Sequence, residues 1–578
     1  MLSNHPQREF WQIITVTVLA VLFVTLGAAR SRERATPAPY QSGRSVVIAP
    51  HGMVATSHPL AVQVGLEILK KGGNAIDAAI ATNAAIGLME PMSCGIGGDL
   101  YAIIWDAKTQ KLYGLNASGR SPYNASRAYF AEKGFKEIPT TGPLSWSVPG
   151  CVDGWEALRR RFGTMNFEQL LGPSIRYAEE GFPVSEVIAG YWQRSVRKLR
   201  ADPDSAKTYL IADKAPRASE VFKNPNLGQS YREIARNGRD AFYQGRIARE
   251  IVAFSEKNGG LFTLKDFTDH TSTWVEPVST RYRGYDVWEI PPPGQGIAVL
   301  QMLNMLEGYD LQKMGPQSPD YWHLFLEAKK LTYADRARFY ADPAFGKLPV
   351  QELISKSYAE GRRKLIALEK ALTQVAAGDP KLAQGDTIYL CVVDKDRNCV
   401  SLIQSNYMGF GSGLTPGNLG FALQNRGTLF ALDDAHLNRL EPHKRPFHTI
   451  IPSLVTKEGK PWFVFGVMGG DMQPQGQVQV LVNLIDFGMN VQQAGEAPRL
   501  EHLGSAAPTG RRGRADGGIV QAERGISREI VQELIRRGHH VEDTRVNGGG
   551  YQGILIDPKT SMLHGGSEAR KDGCAAGY

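Results

Sequence analysis

The chain has 578 residues, 42% hydrophobic, 9% aromatic and 21% charged, a composition that describes a globular protein with room for more than one core and excludes a disordered tail or a collagen-like rod. Its 66 Lys and Arg against 58 Asp and Glu leave a formal charge of +8. That charge is scattered along the chain without zinc-finger spacing, RNA-binding aromatic motifs or a basic-region heptad, so nothing argues for a nucleic-acid partner. Five cysteines (Cys94, Cys151, Cys391, Cys399 and Cys574) form no CxxC pair and are too few for a disulfide framework.

The one long apolar run, from Trp11 to Ala29, follows a short polar segment with Arg8 and ends in small residues. Residues 1–29 therefore read as a signal peptide or as an uncleaved membrane anchor, with export expected, and residues 30–45 as a linker. From Val46 a strand is expected. Ser57-His58-Pro59 then opens an amphipathic helix with Val62, Leu66 and Leu69 on its buried stripe. Gly72-Gly73 stops it, and Asn74 caps a second, Ala-rich helix running to about Met89. Gly95-Ile96-Gly97-Gly98 leads into a strand at Leu100 to Trp105. This is not a dinucleotide loop, because the third glycine of that motif falls on Leu100 and the order is loop to strand.

Residues 150–380 carry mostly helical patterns, including a helix at Ile297 to Leu306 after the turn-rich Pro291 to Gly296. The texture changes at Gly385: Thr387 to Asp394 and Cys399 to Gln404 read as a hairpin. Cys391 and Cys399 flank its turn and are expected to be free buried thiols. A strand at Trp462 to Val467, Gly469-Gly470 and a helix across Gln475 to Phe487 follow. Mixed strands and helices indicate a layered α/β architecture.

Motifs for zinc (HExxH), phosphate loops and the GxSxG serine elbow are absent. Ser195 to Lys198 matches SxxK without its companion motifs and is read as chance. What remains is Thr387 at the start of a strand. A threonine there is ordinarily a β-former, but a cut between Asp386 and Thr387 would place a free α-amine of pKa roughly 7.7–8 beside its own hydroxyl, nucleophile and base in one residue.

Asp386-Thr387 through Asp394, Gly409-Phe410-Gly411-Ser412-Gly413, Arg445-Pro446, Met468-Gly469-Gly470 and Ala576-Gly577-Tyr578 resemble the γ-glutamyltranspeptidase family. So do Lys71 to Ala78 and Pro91 to Asp99, so the likeness spans nearly the whole chain after the linker. The resemblance implies a four-layer αββα sandwich of the N-terminal-nucleophile hydrolase type, self-cleaved into a large fragment within 46–386 and a small one, 387–578, that stay together as a heterodimer. It makes Thr387 the nucleophile, Ser405 the hydroxyl that positions it, and Gly469 and Gly470 the oxyanion-hole amides. It implies a small-molecule amide as substrate, γ-glutamyl amides of the glutathione type by default, and no metal or organic cofactor.

The departures fall on the substrate site. The family's carboxylate-binding arginine corresponds to Ser118, with Arg120 two positions later as the candidate replacement. The acidic residue that holds the substrate ammonium corresponds to Leu429, and the paired serines after Arg-Pro to His448 and Thr449. Tyr407 replaces an asparagine, Arg426 a glutamine, and the segment Phe430 to Lys444 is too short for a long lid. This pattern resembles the divergent branch that includes oxamate amidohydrolases and acylases, whose carboxylated amides are the alternative substrate class, with Arg120, Arg426 and His448 suited to such an anion. An uncleaved binding protein with the same fold is the alternative outside enzymology.

Overall fold

The computed structural model describes residues 42–373, 386–542 and 548–578. The apolar run at Trp11 to Ala29 and the linker up to Gln41 lie outside the described residues. Among those that are described, no helix is long and apolar enough to cross a membrane.

Two antiparallel sheets, each of seven strands, lie face to face. In chain order the strands are β1 (Val47–Ala49), β2 (Met53–Thr56), β3 (Asp99–Asp106), β4 (Lys111–Ala117), β5 (Thr273–Val275), β6 (Val278–Tyr282), β7 (Tyr285–Glu289), β8 (Asp386–Val393), β9 (Cys399–Tyr407), β10 (Ser453–Lys457), β11 (Lys460–Val467), β12 (Tyr551–Ile556), β13 (Leu563–Ser567) and β14 (Cys574–Gly577). One sheet runs β1-β13-β12-β11-β10-β7-β6 and the other β14-β2-β8-β9-β3-β4-β5.

The period-two alternation along the central strands divides the core. Leu100, Ala102, Ile104, Ile388, Leu390, Val392, Val400 and Leu402 face a helical layer, whereas Tyr101, Ile103, Tyr389, Cys391 and Ile403 meet Leu454, Val464 and Ile554 of the facing sheet. The helical layer holds α1 (Pro59–Lys70) and α2 (Ala75–Met89). The expected caps are present: the His58 side chain accepts from Leu60 N with Pro59 at the first helical position, and Asn74 forms a capping box with Asp77. Every residue of α2 is buried, so its alanines let it lie close against β8 and β9.

On the other side, α3 (Ile297–Leu306) and α4 (Met472–Ile485) cover the first sheet. The result is the expected four-layer helix–sheet–sheet–helix sandwich. Strands β5 to β7 lie inside the stretch read from sequence as mostly helical. They are strands of three to five residues, β5 and β6 at sheet edges and β7 between β6 and β10, too short to carry a strong alternation signal. All five cysteines are free, and Cys391 and Cys399 are paired with Ser401 and Val393, not with each other.

Both sheets interleave strands from before and after Thr387. In the second sheet β8 lies between β2 and β9, and β14 pairs with β2. A buried ion pair, Lys571 Nζ to Glu90 Oε1 at 3.1 Å, joins the same two parts of the chain, with Ser57 and Ser93 hydroxyls donating to the Glu90 carboxylate.

Candidate active site

Thr387 is the second residue of β8 and 1% exposed. The β8–β9 register passes from Asp386 opposite Tyr407 to Ile388 opposite Gln404, so Ser405 and Asn406 together face Thr387. A bulge of this kind re-aims a side chain. Here the Thr387 hydroxyl donates to Ser405 Oγ at 3.3 Å, and Ser405 Oγ also accepts from Tyr407 N at 2.8 Å. Tyr407 closes the bulge in the left-handed region at φ 77°, unusual for an aromatic residue.

The glycines before β3 are explained by crowding at this point. A Cβ on Gly98 would stand 2.5 Å from Ser405 O and from Asn406 Oδ1, and one on Gly97 2.1 Å from Ala422 O. Only glycine allows the backbones to come so close.

Gly469 and Gly470 form the turn between β11 and α4, with φ of 109° and 59°. Among the described residues neither N–H has a hydrogen-bond acceptor, while their carbonyls accept from Met472 N and Gln473 N. The turn is braced from behind. Gln295 Nε2 donates to Gly470 O at 2.9 Å and to Thr449 O at 2.7 Å, and the fully buried Arg336 donates to Gln295 Oε1 at 2.6 Å and to the Asp471 carboxylate at 2.7 and 3.1 Å. Two unengaged N–H groups on a fixed turn, at the start of a helix, suit a developing oxyanion.

Arg426, also fully buried, donates from Nη1 to Thr449 Oγ1 at 2.7 Å and stands 4.9 Å from the Tyr407 ring. Its Nε and Nη2 have no partner among the described residues. Burial pulls its pKa down to about 10, against the opposing field of Asp99. His448 Nε2 contacts Asp99 Oδ2 at 2.8 Å, and Asp99 Oδ1 accepts from Gly119 N and Gln424 Nε2. Burial and then the Arg426 charge hold His448 down at about 4, so it is neutral at pH 7 with its hydrogen on Nε2, facing the carboxylate. Burial raises the Tyr407 phenol, with Asp471 adding to the shift and Arg426 opposing it.

Eight of the residues singled out from sequence therefore form one connected neighbourhood: Thr387, Ser405, Tyr407, Arg426, His448, Thr449, Gly469 and Gly470. Arg120 is apart. Its Nη1 donates to Thr271 O at 3.1 Å, the same carbonyl that takes Arg445 Nη2 at 2.9 Å, and the side chain is partly exposed. The side chain of Asp386 and the segment 374–385 lie outside the described residues. The Phe430–Lys444 segment is pinned by Asn438, which donates to Leu429 O and Pro508 O, and by Lys444 on two carbonyls. Lys198 of the SxxK match donates to Gly409 O and Gly411 O, a loop-fastening contact.

Sequence reading missed Asp99, Gln295, Arg336 and Asp471. Asp99 and Asp471 each adjoin a glycine pair that was singled out, and Gln295 lies within the Pro291–Gly296 turn.

His323, Glu327 and His539 are a buried group whose atoms could surround a metal ion. They are already engaged in a directional chain. His323 Nε2 donates to Ala367 O at 2.9 Å, leaving its Nδ1 to accept from His539 Nε2 at 2.9 Å. Lys330 Nζ reaches His539 Nδ1 at 3.4 Å and Glu327 Oε1 at 2.9 Å. Glu327 also takes Leu372 N at 3.0 Å, so the group fastens the stretch Ala367–Leu372.

Residues 61–578 match the family model described as Gamma-glutamyltranspeptidase. Over 535 residues the chain is 38% identical to the "Glutathione hydrolase-like YwrD proenzyme" of Bacillus subtilis, covering 92% of this chain and 99% of that one. It is 31% identical to the "Oxamate amidohydrolase proenzyme" of Klebsiella pneumoniae, covering 92% and 99%. The crystal structure of a cephalosporin acylase from Bacillus halodurans superposes with a TM-score of 0.86 at 42% identity, covering 95% of this chain and 99% of that one.

Proposed function

Since the chain belongs to the γ-glutamyltranspeptidase family, and is an amidohydrolase or acyltransferase of that kind, we propose that it works through an N-terminal threonine released by cleavage between Asp386 and Thr387. The observation that carries this reading is the Thr387 hydroxyl held on Ser405 in a bulged, buried strand, in a chain that also holds a braced glycine turn whose two N–H groups are unengaged among the described residues.

In the proposed reaction the amine of Thr387 takes the proton from its own Oγ1 as that oxygen attacks the substrate carbonyl. Gly469 and Gly470 N–H groups hold the oxyanion. The amine returns the proton to the leaving nitrogen, and water or an acceptor amine then attacks the acyl-threonine ester, again with the Thr387 amine as base. Ser405 orients the hydroxyl. Residues 46–386 and 387–578 are then two fragments of one heterodimer, held by the shared sheets. The apolar run before the linker makes the enzyme an exported one, by signal peptide or anchor.

The substrate is a small amide whose acyl part carries a carboxylate, with γ-glutamyl amides as the first class to assay. Of Arg120, Arg426 and His448, the carboxylate partner is Arg426, whose Nη1 holds Thr449 Oγ1, whose guanidinium stands 4.9 Å from the Tyr407 ring, and whose Nε and Nη2 have no partner among the described residues. The test is acyl-enzyme trapping: γ-glutamyl and glutaryl anilides are mixed with the enzyme, quenched in acid, and the mass of the fragment starting at Thr387 is read. A gain equal to one acyl group on that fragment supports the reading. Turnover with no acyl group on Thr387, or no turnover of any carboxylated amide, overturns it.

A further inference from the structure

Resting on that reading of the site, we propose that Gln295 is a positioning residue of the reaction: its carboxamide selects the one conformation of the Gly469-Gly470 turn that presents both N–H groups to the oxyanion, and Arg336 keeps the carboxamide in place.

Two consecutive glycines with φ of 109° and 59° have no Cβ to restrict them, so several arrangements of the turn lie within reach of the backbone alone. Hydrogen bonds must choose among them. Those from within the turn are local, Met472 N to Gly469 O at 3.0 Å and Gln473 N to Gly470 O at 3.3 Å. The shorter contact to Gly470 O comes from a different element, Gln295 Nε2 at 2.9 Å. That bond anchors the peptide unit leaving Gly470, and the two units that carry the Gly469 and Gly470 N–H groups are set relative to it.

The carboxamide is itself unable to turn. Gln295 is fully buried, its two N–H groups go to Gly470 O and, at 2.7 Å, to Thr449 O, and its Oε1 accepts from Arg336 Nη1 at 2.6 Å. Turning the amide over would aim Oε1 at two carbonyl oxygens and the N–H groups at a guanidinium, exchanging three hydrogen bonds for three repulsions. Arg336 is fixed in its turn. It is fully buried, lies 3.8 Å from the Tyr333 ring, and pairs with the carboxylate of Asp471, the residue that follows the glycines. Tyr333, on the same helix (Pro319–Phe339), donates to Asp471 O at 2.5 Å. The turn is thus gripped at Gly470 by Gln295 and at Asp471 by two side chains of one helix.

This action is separate from substrate binding. Arg426 is held through Thr449 Oγ1 and not through the carbonyl that Gln295 takes. The backbone around Thr449 has further ties, His448 N to Pro293 O at 2.8 Å and Ile451 N to Gln473 Oε1 at 3.1 Å. Loss of the Gln295 amide therefore acts on the glycine turn and leaves the carboxylate partner held.

The test is steady-state kinetics of Gln295→Met and Gln295→Glu with γ-glutamyl and glutaryl anilides. Rates are taken per chain beginning at Thr387, counted by intact mass, in protein that thermal unfolding shows to be folded. Methionine fills similar space with none of the three hydrogen bonds, whereas glutamate keeps the size and the acceptor for Arg336 and puts an oxygen where the N–H groups were. Acylation and deacylation both pass through an oxyanion, so kcat is expected to fall about 100-fold in both variants with KM within about threefold of wild type. A residue that served only to pack, or to pair Arg336, would leave the glutamate variant active. A kcat within about threefold of wild type in either variant or a loss carried by KM alone overturns the proposal. So does a folded variant that stays uncut, because a displaced turn slows a reaction and does not abolish it. The wild-type control separates the two claims. No acyl group on its Thr387 defeats the reading of the site and this inference with it, whereas an acylated wild type beside an unaffected variant defeats the inference alone.

Discussion

Thr387→Ala is expected to lower amide hydrolysis by about ten-thousand-fold or more and to leave the protein as one uncut chain with an unchanged fold. The expectation follows from asking one residue to be both nucleophile and base: deleting its hydroxyl removes the bond-forming atom, and no second side chain is placed to take over. Alanine fits the buried site, because β8 is held by backbone pairing to β2 and β9 and the lost hydroxyl hydrogen-bonds, among the described residues, only to Ser405 Oγ at 3.3 Å. Thr387→Ser keeps the hydroxyl and is expected to retain both processing and turnover at reduced rate. A Thr387→Ala protein that still hydrolyses amides within tenfold of wild type contradicts the assignment.

Arg426→Met is expected to move activity and stability in opposite directions. Catalytic efficiency toward carboxylated amides falls about 100-fold or more, because the substrate carboxylate loses its charged partner in a dry site. The free protein becomes more stable by about 1–4 kcal/mol, because methionine fills similar space without burying an uncompensated charge. Thermal unfolding and steady-state kinetics on the same variant check both. A drop in stability with activity retained identifies Arg426 as a structural residue and removes the carboxylate from the account.

Where local chemistry decides an element, the sequence was sufficient. His58-Pro59, Gly72-Gly73 and Asn74 fix the ends of α1 and α2 because caps and stops act over three or four residues, and the β8–β9 hairpin is announced by two β-rich runs around Lys395 to Asn398. Strands β5 to β7 were missed because they are short and their place in the sheets depends on partners far along the chain, as in the pairings of Thr273 with Asn116 and of Glu289 with Ser453. The reactive residues were legible through ordered motifs, but their support was not. Gln295 acts on Gly470 across 175 positions, and Asp99 meets His448 across 349. Arg120 shows the same limit from the other side. Its proximity in sequence to Pro122 suggested the substrate, and the fold turns its side chain to Thr271 O.

The central claim is that Thr387 becomes a chain terminus, and the intact mass of the purified wild-type protein under denaturing conditions tests it most directly. The account predicts two chains, the smaller beginning at Thr387 and holding 578 − 386 = 192 residues if it runs to Tyr578. A single uncut chain after prolonged incubation, or a cut at any other bond, would contradict it.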